Sequence, residues 1–410
     1  MAKNNNNNNI FQLLQHGFDP LTKTKSIPNE EANETNTKIL HLSQKEPQVA
    51  NQKDKLGCTP LHYACSTNAS LEVVSALLNA WPDAAKQTTK FNSTPLHYAC
   101  TNNASLEVVS ALLDVYPDAT KVKDDSGGCL PLHRVCFGRD PKLNIVSALL
   151  HVWPDAAKET TACGNTALHF ACSNKEPLEV VSALLNLYPE AVAQTNNRGH
   201  TLLHCACSGY APLDVVSVLL VAWPDAVRQL DNHGNTPLHC ACSRKAPLEI
   251  VSALLSLWPD STKVQNNDGD TPLHRACHGR APLDVVSALL SVWPDAVKKK
   301  NNYGHTLFYS KTSFEVTILL ANTYLRDKEN RCSSDLMPLE EQYFQPETPD
   351  EKMLFDCLYN LYNDKTDNPS PEEIMSFFIH FELWSGVAFV LDRHPTIVKT
   401  MDLDTKVMAD

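Results

Sequence analysis

Paired histidine and cysteine residues are the feature of this chain with the clearest chemical potential. Each pair reads His-x-x-Cys, and the pairs are His62/Cys65, His97/Cys100, His133/Cys136, His169/Cys172, His204/Cys207, His239/Cys242 and His274/Cys277. Residues three apart on a helix share a face, so each pair could offer two zinc ligands. A structural zinc site needs about four ligands. The pairs therefore favour a packing role, and we expect no metal site and no cofactor.

Motifs for catalysis are missing from the sequence. It contains neither a phosphate-binding loop ending in Gly-Lys-Ser/Thr nor a Gly-x-Ser-x-Gly nucleophile elbow. The regular recurrence of each candidate side chain also speaks against a catalytic site, which needs each of its residues once. We expect a protein that is not an enzyme and has no catalytic residues.

A recurring tetrapeptide sets the spacing of the histidine and cysteine pairs. It reads Thr-Pro-Leu-His at 59–62, 94–97, 236–239 and 271–274, with variants at 130–133, 166–169 and 201–204. Successive copies begin 35 or 36 residues apart. A fixed period of this length predicts an array of small stacked units, each contacting its neighbours.

One repeat shows which elements must position these residues. Gly234 precedes the tetrapeptide and is suited to a tight turn, Thr236 to a helix N-cap and Pro237 to the first helical position. The segment 247–258 predicts a second helix that ends before Pro259. Its predicted buried stripe is Leu248, Val251, Leu254 and Leu255. Each repeat should thus contain two helices and a projecting hairpin-like loop.

These residues resemble a known repeat family. The pattern Gly-x-Thr-Pro-Leu-His-x-Ala, followed by Leu-(Glu/Asp)-(Val/Ile)-Val-x-x-Leu-Leu, resembles the ankyrin repeat over residues 59–305. The resemblance implies an all-α solenoid of helix-turn-helix units with projecting loops and eroded capping repeats at both ends. It also implies that each histidine hydrogen-bonds near the preceding turn and that the cysteine lies in the core. The repeats depart from the usual length of about 33 residues and carry Trp/Tyr-Pro-Asp-Ala after the second helix.

The pattern divides the chain into regions of different character. The expected regions are a disordered N-terminus (1–38, with a short helix near 10–15), a degenerate capping helix (39–58), seven ankyrin repeats (59–305), a degenerate eighth repeat (306–326), a linker (327–350) and an acidic helical region of eroded units (351–410).

Charge and hydropathy limit the classes of partner. The net charge is −12, and residues 306–410, with 9 basic and 19 acidic side chains, carry −10 of it. No basic stripe is visible, so we expect no nucleic-acid partner. No signal segment and no apolar run of about 20 residues occur. We expect a cytoplasmic or nuclear protein that is not secreted, is not inserted in a membrane and is monomeric.

Positions that vary within the repeating pattern are the candidates for recognition. Those that follow the histidine, on the concave side of an ankyrin fold, include Tyr63, Tyr98, Arg134, Phe170 and Arg275, with Cys205 and Cys240 at two further copies. Those at the loop tips are Phe91, Asp124, Arg198, His233, Asp268 and Tyr303. Tyrosine and arginine are enriched at interface hot spots. We expect a scaffold or adaptor that binds a protein partner here; the alternative is a solvated surface without a shared partner.

A second hypothesis assigns activity to the C-terminal region. Residues 327–410 lack clean repeats and could form a regulatory or enzymatic part. Packing of 351–410 onto the array as one more helical pair would remove the main support for this alternative.

Two positions should respond differently to substitution. Leu184 is expected in the core, where Leu→Ala costs about 2–5 kcal/mol. Asn196 is expected in a loop, where a change should cost little.

Overall fold

The computed structural model describes residues 10–16, 29–138, 142–174, 178–209, 211–309, 312–332, 348–363 and 369–401. Within these ranges the chain forms α-helices and short 3-10 helices and no β-strand, which confirms the predicted all-α class. The chain divides into two compact units, Met1–Ala226 and Val227–Asp410, called here the N-terminal unit and the C-terminal unit.

The N-terminal unit contains six helical pairs. They are α1 (Ile10–His16) and α2 (Asn29–Lys45), α3 (Pro60–Ser66) and α4 (Leu71–Ala80), α5 (Pro95–Thr101) and α6 (Leu106–Val115), α7 (Pro131–Phe137) and α8 (Leu143–Val152), α9 (Ala167–Ser173) and α10 (Leu178–Leu187), and α11 (Leu202–Ser208) and α12 (Leu213–Ala222). The short first helix of each repeat packs against the first helix of the next, from α3 to α11.

The C-terminal unit begins with two regular pairs and then becomes irregular. The regular helices are α13 (Pro237–Ser243), α14 (Leu248–Leu257), α15 (Pro272–Gly279) and α16 (Leu283–Val292). The later helices are α17 (Phe314–Leu325), α18 (Lys328–Cys332), α19 (Pro349–Tyr362), α20 (Pro371–His380), α21 (Trp384–Arg393) and α22 (Ile397–Thr400).

The Thr-Pro-Leu-His sequence starts each first helix and ties it to the next repeat. Thr236 is the N-cap of α13, and its backbone N–H donates to Nδ1 of His239 at 3.2 Å. The other ring nitrogen, Nε2, lies 3.0 Å from the carbonyl oxygen of Asp270 in the following hairpin. Nδ1 accepts and Nε2 donates, so this histidine is neutral, and burial lowers its pKa to about 4. The histidine is therefore a structural link, as the resemblance implied, and it also spans two repeats.

The two helices of a repeat bury the small and branched side chains of the pattern. In the α13–α14 pair, Ala241, Cys242, Val251 and Leu254 are all buried. Leu248 is only half-buried, so its predicted place in the core stripe is wrong; Ile250 lies in the core instead. Leu248 is the first residue of α14, so its side chain lies at the end of the helix, outside the contact between α13 and α14.

The repeated cysteines are buried and are not joined in disulfide bonds. Burial raises the pKa of the Cys65 and Cys277 thiols to about 12, so both are protonated at neutral pH. They act as small apolar side chains between helices.

The aromatic-Pro-Asp-Ala sequence forms an added 3-10 turn after each second helix. These turns are Pro82–Lys86, Pro117–Lys121, Pro154–Lys158, Pro189–Ala193, Pro224–Arg228, Pro259–Lys263 and Pro294–Lys298. Proline removes the N–H that would continue the α-helix. The aromatic residue before it is half-buried, as at Trp258, whose ring lies under the Arg228 guanidinium at 5.2 Å.

The N-terminal unit begins earlier than the sequence predicts. Residues 29–38 form the first part of α2, so the expected disorder is wrong there. Helix α1 packs against α2 and α3, and the Phe11 ring lies 5.3 Å from that of Tyr63. His62 and Tyr98 make the same edge contact one repeat later, at 5.4 Å. Helices α1 and α2 therefore form an additional repeat in which Phe11 occupies the histidine position. This repeat lacks the Thr-Pro-Leu-His sequence, so the sequence pattern does not reveal it. Residues 1–9 and 17–28 lie outside the described ranges.

The C-terminal region continues the helical packing. The eighth repeat has only the 3-10 helix Leu307–Tyr309 in place of its first helix, followed by α17. Helix α21 packs against α17 and α20, and the Ser385 N–H donates to Oδ1 of Asn322 at 3.0 Å. Helix α18 lies within the predicted linker, which is wrong for residues 328–332; residues 333–347 are outside the described ranges. Helices α19 and α21 also pack against each other and against α17.

Candidate functional site

Each hairpin between repeats is built around one anchoring side chain. In the hairpin before α3, Oδ1 of Asp54 accepts the N–H groups of Leu56 and Cys58, both at 2.8 Å. Gly57 completes the turn with φ +80°, a conformation that favours glycine. Asn196, Asp231, Asn266 and Asn301 anchor their own hairpins through the same pair of backbone groups.

Two predictions about these loops are wrong for this reason. Asp124 was expected at a tip, but its side chain is fully buried, accepts the Cys129 N–H at 3.1 Å and pairs with Arg134. Asn196 was expected to tolerate change, but its Oδ1 accepts two N–H groups and its Nδ2 donates to Asn165 at 2.7 Å. The sequence signal that identifies such an anchor is an Asp, Asn or Thr three residues before the hairpin glycine or asparagine, as in Asx turns.

The true tip position lies two residues after the anchor and is exposed. Phe91, Arg198, His233, Asp268 and Tyr303 are all exposed, as predicted for tips. Leu56 lies in the same register and is 49% exposed, compared with 50% for Phe91. Sequence reasoning missed Leu56, although its alignment with Phe91 between an anchor and a turn residue could have identified it.

Neighbouring hairpins are joined through their backbones. The Lys90 N–H donates to the Leu56 carbonyl at 2.8 Å, and the Asp125 N–H donates to the Phe91 carbonyl at 2.8 Å. In the C-terminal unit the Asn302 N–H donates to the Asp268 carbonyl at 2.9 Å. These bonds fix the tips relative to one another, so their side chains are presented on a rigid support.

The residues after each histidine form a row along the first helices, called here the first-helix row. In the N-terminal unit, the Tyr63 hydroxyl donates to Oδ2 of Asp54 at 2.8 Å. The Tyr98 hydroxyl lies 3.8 Å from Sγ of Cys58, and burial raises the Tyr98 pKa. Each tyrosine is half-buried, so one edge of the ring is fixed against the hairpin and the rest faces outward.

The row continues with a cation and an aromatic pair. Arg134 donates to buried Asp124, and 23% of the arginine side chain remains exposed. Phe170 contacts the His133 ring at 6.0 Å and the Phe137 ring at 5.6 Å, both edge-on. Phe137 is 60% exposed and was missed by sequence reasoning because it occupies a position that holds Ser or Thr in most repeats. Cys205 ends the row in this unit and is buried.

The C-terminal unit presents a polar version of the same surface. Cys240 is buried, and Arg275 pairs with Asp270 at 3.6 Å. Around Arg275 lies a pocket of about 270 Å³, lined also by Asp268, Tyr303, Asp270, His274, His278, Asn301, His305 and Thr306. The Tyr303 hydroxyl donates to Asp268 across the mouth at 3.2 Å. This surface offers more hydrogen-bonding groups than the first-helix row of the N-terminal unit.

An apolar groove lies on the second helices of the N-terminal unit. It has a volume of about 470 Å³ between α10 and α12, and its lining includes Leu185, Val192, Val218 and Val221. Val221 is 83% exposed. The groove offers apolar contact without acid–base or metal-binding groups.

The described ranges contain no arrangement of side chains that is suited to binding a metal ion. No group of three or more His, Cys, Asp or Glu side chains there could hold a metal ion. The His239 ring already uses both nitrogens in hydrogen bonds, and the thiol of Cys242 is protonated by burial. Among the described residues, no helix has the length and apolarity to cross a bilayer.

Comparison with known families identifies the fold independently. The chain matches the family model described as ankyrin repeats (3 copies) over residues 1–125, 72–158, 132–229 and 212–302, which together span 1–302. The chain therefore belongs to the ankyrin-repeat family. Members of this family are generally protein–protein interaction modules.

One solved structure illustrates the similarity. The ankyrin repeat domain of Bcl-3, described as a unique member of the IkappaB protein family, is 26% identical; the alignment covers 57% of this chain and 99% of that one, with a TM-score of 0.43. A search of curated proteins finds no match. The family model, rather than this loose superposition, supports the fold.

Proposed function

We propose that this protein is a scaffold or adaptor that binds a protein partner along its first-helix row and hairpin tips, on the concave face of the repeat stack. The observation that carries the proposal is the set of accessible rings in the N-terminal unit: Tyr63, Tyr98 and Phe170 are half-buried, and Phe137 is exposed. The repeating pattern itself does not require aromatic residues there, because Cys205 occupies the same row position as Tyr63, Tyr98 and Phe170.

The rings are well suited to recognition because they are already ordered. Tyr63 is fixed by Asp54 and Phe11, and Phe170 by His133 and Phe137. Aromatic side chains bury a large area on binding, and prior ordering reduces the entropy lost. A row of such side chains supports binding of an extended partner surface.

The C-terminal unit would add polar specificity. Arg275 has its Nε without a hydrogen-bond acceptor in the described residues, and it lines the pocket with Asp268 and Tyr303. About 30% of the Arg275 side chain stays exposed, so a partner's acceptor group would pair with the accessible part of its guanidinium. The N-terminal unit therefore offers apolar contacts to a partner, and the C-terminal unit offers hydrogen bonds.

Affinity purification with mass spectrometry tests the proposal. The tagged wild-type chain is compared with the variant Y63A/Y98A/F170A/R275A, and the expected result is loss of at least one specific partner. A control variant, K86A/K121A/K158A/K263A, removes exposed lysines of the 3-10 turns and should retain it. Circular dichroism melts of both variants monitor the fold. Partners retained by a folded row variant would contradict the assigned face.

We also propose that the chain acts as a monomer in the cytoplasm or nucleus. Size-exclusion chromatography with light scattering tests the first point, and a dimer mass would contradict it. Imaging of a tagged chain tests the second, and a signal confined to the secretory pathway would contradict it.

A further inference from the structure

We propose that the first two hairpin tips of the N-terminal unit form a binding site for an acidic peptide segment that carries apolar side chains. The site, called here the basic tip, comprises Lys53, Lys55, Leu56, Lys90 and Phe91. This inference rests on the proposed function, because it assigns the chemistry of the partner segment at one end of the first-helix row.

Two apolar side chains form the centre of the basic tip. Leu56 and Phe91 occupy equivalent positions on adjacent hairpins and are 49% and 50% exposed. Their carbonyl oxygens accept the N–H groups of Lys90 and Asp125, both at 2.8 Å. The backbone is thus held in place while the two side chains project, so little order is lost when a partner covers them.

Three lysines lie within three residues of these apolar side chains in the sequence. Lys53, Lys55 and Lys90 are all exposed, and none makes an ion pair with another described residue. By contrast, Lys86 and Lys121 on the neighbouring 3-10 turns pair with aspartates three residues before them, at 2.8 Å in both cases. The lysines of the basic tip therefore keep their full capacity to pair with a partner.

The acidic residue of these two hairpins is turned inward. The carboxylate of Asp54 accepts hydrogen bonds from the N–H groups of Leu56 and Cys58 and from the Tyr63 hydroxyl. Burial acts to raise the Asp54 pKa, but these hydrogen bonds lower it overall, so the group is ionised and internally satisfied. The tip is locally basic although the chain carries −12.

The chemistry of the tip selects the partner. Carboxylates would pair with the three lysines, and apolar side chains would cover Leu56 and Phe91. Neighbouring repeats are stacked about 8–10 Å apart. Apolar residues three apart in an extended segment, or about seven apart in a helix, match that distance. Of the equivalent tips of the C-terminal unit, His233 and Asp268 have no lysine in these registers, and Tyr303 has only Lys300, in the register of Lys53; none has a lysine directly before the tip, as Leu56 and Phe91 do. We therefore expect these tips to bind this class of peptide weakly.

Selection from a random displayed peptide library on the full chain tests the assignment. Selected peptides are synthesised, and their Kd values are measured by fluorescence anisotropy against the wild type, K53E/K55E/K90E and L56S/F91S. The matched control K142E/K245E/K352E makes the same change in net charge at exposed lysines that lie outside the hairpin tips. Circular dichroism melts establish that each variant is folded.

The expected peptides are acidic, with apolar residues at the spacing given above. Their affinity should fall about tenfold or more in both tip variants, should fall less than about twofold in the control, and should weaken as salt rises. Selection of neutral or basic peptides, or equal binding to the tip variants, would overturn the assignment. A second assay measures sedimentation of the chain with phosphatidylcholine vesicles that contain about 30% phosphatidylserine. If the wild type binds these vesicles, the tip variants do not, and no acidic peptides are selected, the tip would be assigned to an anionic membrane instead.

The row variant separates this inference from the proposed function. If Y63A/Y98A/F170A/R275A loses its cellular partner while both tip variants retain it, the basic tip is wrong and the proposed function stands. If all of these variants retain the partner, both proposals fail.

Discussion

The N-terminal and C-terminal units use the same repeat to present different surfaces. In both, a threonine caps the first helix, a buried histidine accepts the threonine N–H, and an Asp or Asn anchors the hairpin. The residues beside these positions diverge. The N-terminal unit exposes Phe91 and Phe137 and has tyrosines in its row, whereas the C-terminal unit presents a pocket around Arg275 with Asp268 at its mouth.

The difference shows that fold and recognition are carried by separate residues in each repeat. Positions with a hydrogen-bonding or packing duty vary little in most repeats, because many changes would leave a buried donor or a cavity. Their neighbours have no such duty and can differ between repeats. Substitutions of the first kind should act alike in both units, and substitutions of the second kind should not.

The largest expected effect tests whether the cores of the two units are equally sensitive to the loss of a buried side chain. Leu184→Ala in α10 and Leu254→Ala in α14 each empty a site that is 2% exposed, so each should lower the free energy of unfolding by about 2–5 kcal/mol. Urea denaturation followed by circular dichroism measures the change. Leu187→Ala and Leu257→Ala, on the same helices but 45% and 47% exposed, should cost less than about 1 kcal/mol. A clearly unequal loss at Leu184 and Leu254 would break the comparison.

Substitutions at two hairpin glycines of the C-terminal unit distinguish the cost of backbone strain from the cost of steric crowding. Gly234 and Gly304 have φ +73° and +78°, so alanine costs about 1–2 kcal/mol at either position. At Gly234 the added Cβ would also lie 2.6 Å from Oδ1 of Asn267, whereas no atom of the described residues lies within 4 Å at Gly304. Gly234→Ala should therefore cost about 1–3 kcal/mol more in thermal or urea unfolding. Equal costs would show that the hairpins are not held together as described.

Buried histidines should make stability depend on pH. The pKa of His239 is about 4 in the folded state and about 6.5 when unfolded, so the unfolded state binds more protons between these values. Stability is then complete above about pH 6.5 and falls as the pH drops towards 4, by about 1 kcal/mol per such histidine at pH 5.5. Urea midpoints at pH 7.5 and 5.5 should differ less in H239Q than in the wild type. The exposed H233Q variant is the control, and an unchanged difference in H239Q would contradict the assignment.

The smallest expected effect on stability concerns the tips. Phe91→Ala and Asp268→Ala alter exposed side chains and should change the free energy of unfolding by less than about 0.5 kcal/mol. Partner capture, measured by quantitative pull-down, should weaken severalfold for Phe91→Ala, since aromatic side chains contribute most to interfaces. A stronger effect of Asp268→Ala would place the main contact in the C-terminal unit and reverse the proposed order.

Most of the fold could be predicted from the sequence because its signals are local. The period, the Thr-Pro start of each first helix and the glycine turns all depend on residues within a few positions of one another. The N-terminal repeat was missed because Phe11 replaces the histidine and no tetrapeptide marks the helix. Its recognition needs the ring contact between Phe11 and Tyr63, which joins residues 52 positions apart.

The candidate site was predictable only in part, for a similar reason. Variation located Tyr63, Tyr98 and Phe91, but did not distinguish a tip from an anchor, so Asp124 was placed on the surface. The sequence by itself determined the repeat, its helices and the positions free to vary, because these follow from backbone chemistry repeated along the chain. Only the tertiary structure decided which polar side chains are internally satisfied, as Asp54 is, and which remain available, as Lys53, Lys55 and Lys90 do, because hydrogen-bond satisfaction depends on groups brought together by folding.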